Sequence, residues 1–340
     1  MMIRHARRII AIALAGTLLV LGGWWYAWPK YQWRRAQREV ARGDLAAAEK
    51  DLTTLLRTSP DDSQARFLHA QVLRRLKRFG DAQASVSRAL SLGLPKTDEV
   101  QREAALIGAG LNFRNNEASL RKLLDNAPMD LEILQALAKG CVSQMRWGDA
   151  ERAYTDWLQI EPENLDALLG RGQARLRNER WKEAAGDFQA MLRQVPEHFH
   201  ARLLLADCFL SESRLAEAEP ELLVCRQLRP DRAEPLVGLA ICATNQGDLD
   251  KAQNLLTEAR TLDSSSILVF EELGDHYMLR RRYDLAEDSF ARAVRLNPRD
   301  REGHLKLSQA LLAAGKEELA RAHERRFREL DALATRSDSR

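Results

Sequence analysis

The sequence predicts an all-α fold of stacked helical hairpins, and four observations carry that expectation. Frames starting at Pro29, Ser63, Thr97, Leu131, Leu165, Phe199, Ala233, Ile267 and Arg301 divide the chain into nine blocks of 34 residues with no insertion. The eighth residue of every block is small: Ala36, Ala70, Ala104, Ala138, Gly172, Ala206, Ala240, Gly274 and Ser308. The twentieth is alanine throughout (Ala48, Ala82, Ala150, Ala184, Ala218, Ala252, Ala286, Ala320) except at Asn116. Proline recurs near the end of the period, at Pro60, Pro128, Pro162, Pro196, Pro230 and Pro298.

The chain begins with a short basic tail, residues 1–8. From Ile9 to Trp28 the sequence IIAIALAGTLLVLGGWWYAW carries no charge over twenty residues. As a helix that stretch is about 30 Å long, the thickness of a hydrocarbon core. Arg4, Arg7 and Arg8 precede it, Trp24, Trp25, Tyr26 and Trp28 sit where an interfacial aromatic belt would, and Pro29 ends it. The expectation is one transmembrane anchor over residues 9–28. A cleaved signal peptide is the alternative, because Ala13-Leu14-Ala15 has the small-x-small form. Cutting there leaves an apolar region of only seven residues, Ile9 to Ala15. The segment Leu14–Thr17 has threonine where a lipidated cysteine would be needed. Lys30, Arg34, Arg35 and Arg38 follow the span, so basic residues flank both ends and the positive-inside rule discriminates little. The expected orientation keeps the tail inside and the array on the extracytoplasmic side.

Within a block, positions 4, 7, 8 and 11 share one helical face. In the eighth block they are Phe270, Leu273, Gly274 and Tyr277. Positions 20, 24 and 27 (Ala286, Phe290, Ala293) form the facing stripe of a second helix. Small residues at 8 and 20 let the two backbones approach. Gly43, Gly247 and Gly315 mark the intervening turn, and the late proline disfavours continuing the second helix. Helices of about a dozen residues are marginal alone, so stability must come from stacking.

Phe270, Leu273, Gly274, Tyr277, Ala286, Phe290 and Pro298 together resemble the tetratricopeptide repeat pattern W-x2-L-G-x2-Y…A-x3-F…P. The resemblance covers about Trp33 to Leu330. It implies a right-handed superhelix of eight to nine units over residues 29–330, including a C-terminal cap, with a structureless tail over 331–340. Glu324 and Ala332 at positions 24 and 32 suit the solvent-facing side of such a cap. The third block departs from the pattern at Asn116, in the stretch GLNFRNN and at the offset Leu94-Pro95, which predicts irregular packing there.

The family's first helices line a concave groove through positions 2, 5, 9, 12 and 13. Here those positions include Leu169, Gln173, Leu176, His200, Leu203, Asp207, Leu210, Val237, Ile241, Leu268, Glu271, Asp275, Met278 and Leu279. Apolar side chains facing a groove, with Asp207, Glu234, Glu271 and Asp275 among them, would suit an apolar peptide carrying a Lys or Arg. The alternative is that superhelical twist buries them against neighbouring helices. Position 9 reads Gln37, Gln71, Ala105, Lys139, Gln173, Asp207, Ile241, Asp275 and Gln309. The clamp with which some family members hold a terminal carboxylate needs Lys and Asn at positions 5, 6 and 9, and that combination is not present. Position 16 holds Arg78, Arg146, Arg180, Arg214, Arg282 and Lys316. Stacking would align these as a basic edge for an anionic membrane or acidic partner, or simply as a solvated edge.

Composition excludes several classes. Lys and Arg total 52 against 49 Asp and Glu, a net charge of +3, which argues against bulk capture of nucleic acid. Cys141, Cys208, Cys225 and Cys242 form no CxxC or zinc spacing and read as small core residues. His198 and His200 form an HxH pair without a third ligand. Asp275-His276 has no nucleophile in sequence reach, and no phosphate loop or dinucleotide fingerprint occurs. The expectation is therefore no metal, cofactor, small-molecule substrate or catalysis, but a membrane-anchored scaffold for a protein or peptide partner. Layouts of this kind resemble bacterial envelope assembly factors for cytochrome maturation, pilus biogenesis and lipopolysaccharide assembly, the last of which adds a cysteine-rich metal module absent here. Two other readings remain open: a regulatory subunit or cryptic enzyme with a site near Asp207 and Asp275, and a spacer that binds nothing.

Overall fold

The computed structural model of the protein describes residues 28–338. Helix follows helix: α1 (28–42), α2 (Leu45–Thr58), α3 (Ser63–Arg75), α4 (Phe79–Ser91), α5 (Asp98–Leu111), α6 (Phe113–Asn126), α7 (Leu131–Ser143) and α8 (Trp147–Ile160). They continue with α9 (Leu165–Arg177), α10 (Trp181–Gln194), α11 (Phe199–Ser211), α12 (Leu215–Leu228), α13 (Glu234–Asn245) and α14 (Leu249–Leu262). The last are α15 (Ile267–Leu279), α16 (Tyr283–Leu296), α17 (Arg301–Ala313) and α18 (Glu317–Asp338). No strand occurs among the described residues, as the period predicts. The expected span over residues 9–28 lies, except for Trp28, outside the described residues. Among the described residues no helix is long and apolar enough to cross a membrane.

The period is visible in the helix ends. In the regular blocks the first helix occupies positions 1–13 and the second begins at position 17. Position 34 caps the first helix: Asp62, Asp130, Asn164 and Ser266 each accept a backbone N–H three residues on. Position 15 is left-handed at every described hairpin turn except the third. Gly43, Gly247 and Gly315 take that conformation freely, whereas Lys77, Met145, Glu179, Ser213 and Arg281 hold φ between 56° and 61°. The turn therefore keeps its shape whatever residue stands there.

The chain divides after Ile160 into two compact units. In the first, a core of Phe67, Leu73, Val86, Leu94, Val100 and Ile107 joins α3, α4 and α5. Ala36, Ala48, Leu52 and Val72 form a second cluster there. The second unit has a larger core, running from Phe188 through Leu205, Leu222, Leu236 and Leu256 to Phe270. Phe290, Val294, Leu307, Leu311 and Ala320 close its C-terminal end.

The third block departs from the regular hairpin as its sequence predicts: α5 begins one position late and runs through position 15, and no left-handed residue stands at its turn. Asn112 alone links α5 to α6, acting as the C-cap of one and the N-cap of the other. Asn116 replaces alanine because Gly108 faces it: a Cβ at Gly108 would stand 2.3 Å from the Asn116 Oδ1. The Asn116 amide also donates to the Asn112 carbonyl at 2.9 Å, so the polar group is satisfied. One expectation needs correction: the segment expected to lack structure from residue 331 is helical as far as Asp338, where α18 ends.

Candidate functional site

In the second unit α9 packs on α11, α11 on α13 and α13 on α15, so first helices stand side by side. Leu169 and Leu176 of α9, Leu203 and Leu210 of α11 and Ile241 of α13 are half-buried, with their inner atoms packed on the core. Leu268 and Leu279 of α15 are exposed at 43% and 60%. Met278 is half-buried against the C-terminal cluster. Val237 is the correction: it is 1% exposed and belongs to the core. Helix α13 is flanked by first helices on both sides and buries Pro235 to Ala240 continuously, so its position 5 has no free surface.

The polar members form a graded series. The Gln173 side chain meets the His200 ring nitrogen Nε2 at 3.2 Å. His200 is held below its ordinary pKa by loss of hydration and by His198. Asp207 has no ion pair among the described residues. Water reaches its carboxyl, but the surrounding protein strips enough hydration to push it up to about 6. Asp275 accepts an ion pair from Lys306 Nζ at 2.7 Å, linking α15 to α17. Burial alone would lower Lys306, and Asp275 outweighs it to hold the amine above its ordinary value. Glu271 is raised by lost hydration and by its contact with Asp300. Its neighbour Glu272, which the sequence reading passed over, is pushed up to about 7 by burial and then by Asp275.

These shifts set a pH dependence. A carboxyl whose folded pKa exceeds its unfolded value of 4.5 binds its proton more tightly in the fold. Stability therefore falls as pH rises from about 4.5 to about 7 and levels off above. Glu272→Gln is expected to raise the melting temperature at pH 8 by the equivalent of about 1–2 kcal/mol, screening included, and to flatten the slope. Thermal melts from pH 4.5 to 8 check this; an unchanged slope in the variant contradicts it.

The basic edge at position 16 is not bare. Arg78 pairs with Glu49 and Asp81, and Arg146 with Glu117 at 2.5 Å and with Asp149. Lys316 pairs with Glu287 at 2.6 Å. Glu49, Glu117 and Glu287 all stand at position 21 of the preceding block, so these cations tie one repeat to the next. Arg180 pairs with Glu183 at 3.0 Å, and Arg214 with Glu212 and Glu217 at 2.7 Å. Only Arg282 lacks an acidic partner among the described residues.

The remaining candidates resolve into structural roles. Nδ1 of His198 caps α11 by accepting from the Ala201 N–H at 3.1 Å. All four cysteines are free and buried, and burial pushes the Cys225 thiol up to about 11. Among the described residues no three His, Cys, Asp or Glu are placed to hold a metal. Asp207 and Asp275 lie on α11 and α15 with α13 between them. At roughly 8–10 Å per helix packing they stand too far apart for paired acid–base chemistry.

In the first unit the charges missed by sequence reading form a buried network across three first helices. Arg74 of α3 reaches Glu103 of α5 at 2.5 Å and Glu132 of α7 at 3.1 Å. Arg102 holds Asp130 and, at 2.9 Å, Glu132. Burial would raise both Asp130 and Glu132, but the guanidinium groups outweigh it and hold them below the usual carboxylate range. The sequence signal was present: Glu103 stands at position 7, which is Leu in five other blocks.

Helical hairpins stacked at a fixed 34-residue period define an α-solenoid repeat protein. Residues 34–99, 136–196, 169–231 and 271–334 match the tetratricopeptide repeat, and the chain belongs to that family. No curated protein matches the chain. Among solved structures it is similar to a tetratricopeptide repeat protein from Parabacteroides merdae ATCC 43184 (17% identity, 84% of this chain and 99% of that chain, TM-score 0.48). It is also similar to yeast Tom70 (15%, 89% and 85%, 0.48) and to a monomeric mutant of IFIT1 with Gppp-AAAA (16%, 78% and 69%, 0.50). At these identities the likeness concerns the fold.

Proposed function

We propose that the protein is a membrane-anchored adaptor that captures a segment of a partner protein on the first helices of its second unit. The carrying observation is the run of half-exposed Leu169, Leu176, Leu203, Leu210 and Ile241, continued by exposed Leu268 and Leu279. Among the described residues Asp207, Glu271 and Glu272 carry no ion pair, so an arriving cation would satisfy charge that the fold leaves open. The fitting occupant is an apolar peptide, helical or extended, with at least one Lys or Arg. Residues 9–28 supply the anchor by length and lack of charge, with the repeats on the extracytoplasmic side. The layout resembles that of envelope assembly factors.

Leu203→Glu with Met278→Glu is expected to abolish partner capture, read by photo-crosslinking in cells from probes at neighbouring groove positions, with helicity unchanged. Capture that survives the pair overturns the reading. A reporter fused after Arg340 tests the orientation.

A further inference from the structure

We propose that the first unit carries a second, separate site that takes an acidic peptide segment bearing a leucine or aromatic side chain. A cavity of about 440 Å³ opens between α3, α5 and α7, within the roughly 300–1,000 Å³ typical of ligand sites. Its floor is Leu106, Ala109, Gly110, Ala136 and Gly140, and two rings, Phe79 and Phe113, form its walls. The glycines seat those rings. A Cβ at Gly110 would stand 2.2 Å from the Phe79 ring, and one at Gly140 would stand 2.1 Å from the Phe113 ring. Bare backbone therefore lies directly against aromatic faces, leaving a shallow apolar trough where other blocks carry larger side chains.

The rim has one sign of charge. Arg74, Arg75, Lys77 and Lys139 line the cavity against a single carboxylate, Glu132. Arg74 is committed to Glu103 and Glu132, and Glu132 in turn to Arg74 and Arg102. Arg75, Lys77 and Lys139 are exposed. No ion pair joins them to any acid among the described residues, although most position-16 cations in the chain are paired. Three open cations around an apolar trough match carboxylates flanking an apolar residue, the reverse of the polarity in the second unit. They stand at positions 13, 15 and 9; Lys139 alone shares a position with the carboxylate clamp, whose Asn has no counterpart here. The ion network of Arg74, Glu132 and the buried Glu103 ties α3, α5 and α7 together around it.

The test is fluorescence anisotropy of the full 340-residue chain with labelled peptides DDLFDD, KKLFKK and DDSSDD. DDLFDD should bind saturably and weaken with salt, and DDSSDD should bind at least tenfold more weakly. Lys139→Glu should cost DDLFDD at least tenfold, whereas Lys122→Glu, an exposed cation of α6 outside the cavity, should leave it within twofold. Arg75→Ala keeps the test readable if Lys139→Glu fails to fold. The proposal is overturned by absent saturable DDLFDD binding, by equal binding of KKLFKK or DDSSDD, or by equal loss in Lys122→Glu. Saturable dihexanoyl-phosphatidylserine binding, sensitive to Lys139→Glu and without peptide binding, would also overturn it in favour of a lipid headgroup. Leu203→Glu with Met278→Glu should leave DDLFDD binding intact, which keeps this outcome distinct from the second-unit reading.

Discussion

Arg74→Met is expected to cost about 3–5 kcal/mol in the first unit, because it strands a buried carboxylate. Glu103 is 2% exposed, and Arg74 is the cation that reaches it. Removing the guanidinium leaves that charge in a medium that solvates it poorly, while Glu132 keeps Arg102. Arg74→Met with Glu103→Leu removes both charges and should recover most of the loss, since paired deletion of a buried ion pair is often nearly neutral. Hydrogen exchange in α3, α5 and α7, together with urea unfolding, reads both variants. A single variant that loses less than about 1 kcal/mol would show that the network does not hold these three helices together.

Gly274→Ala is expected to destabilise the second unit by about 1–3 kcal/mol through overpacking. A Cβ there would stand 2.4 Å from the Phe290 ring, which is 1% exposed and has nowhere to move. The chain itself supplies the rescue. Where position 8 is alanine, position 24 is commonly leucine, as in Ala36 and Leu52, Ala206 and Leu222, and Ala240 and Leu256. Where position 8 is glycine, position 24 is phenylalanine, as in Gly172 and Phe188, and Gly274 and Phe290. Gly274→Ala with Phe290→Leu rebuilds the first combination and should melt above Gly274→Ala alone. A double variant less stable than the single one would refute this size rule.

Most of the fold was legible because a 34-residue period fixes helix ends by local chemistry. Caps at position 34 and the glycines at position 15 act within a few residues of chain, so they can be read in one dimension; the non-glycine residues that adopt the same left-handed turn give no such signal. Part of the polar interior was legible too, had charge at core positions been followed. Arg35 and Asp51 at positions 7 and 23 pair at 2.9 Å, and Arg171 and Asp187 at the same positions pair at 2.7 Å. An arginine at position 7 thus announced an aspartate partner sixteen residues on, whereas Glu103 at the same position found Arg74 in the preceding block. The groove was less legible, because exposure at positions 2, 5, 9, 12 and 13 depends on how tightly the next hairpin closes.

The sequence by itself determined the hairpin, its period and the residues that touch inside it, since these contacts recur at fixed separations along one chain. Tertiary structure alone decided which surfaces stayed open. It sealed Val237 between neighbouring first helices and paired Arg78, Arg146 and Lys316 with glutamates from the preceding repeat. It also left Asp207, Arg75 and Lys139 without counter-charge. Burial and charge compensation are sums over all neighbours in space, and no single helix carries that sum in its own residues.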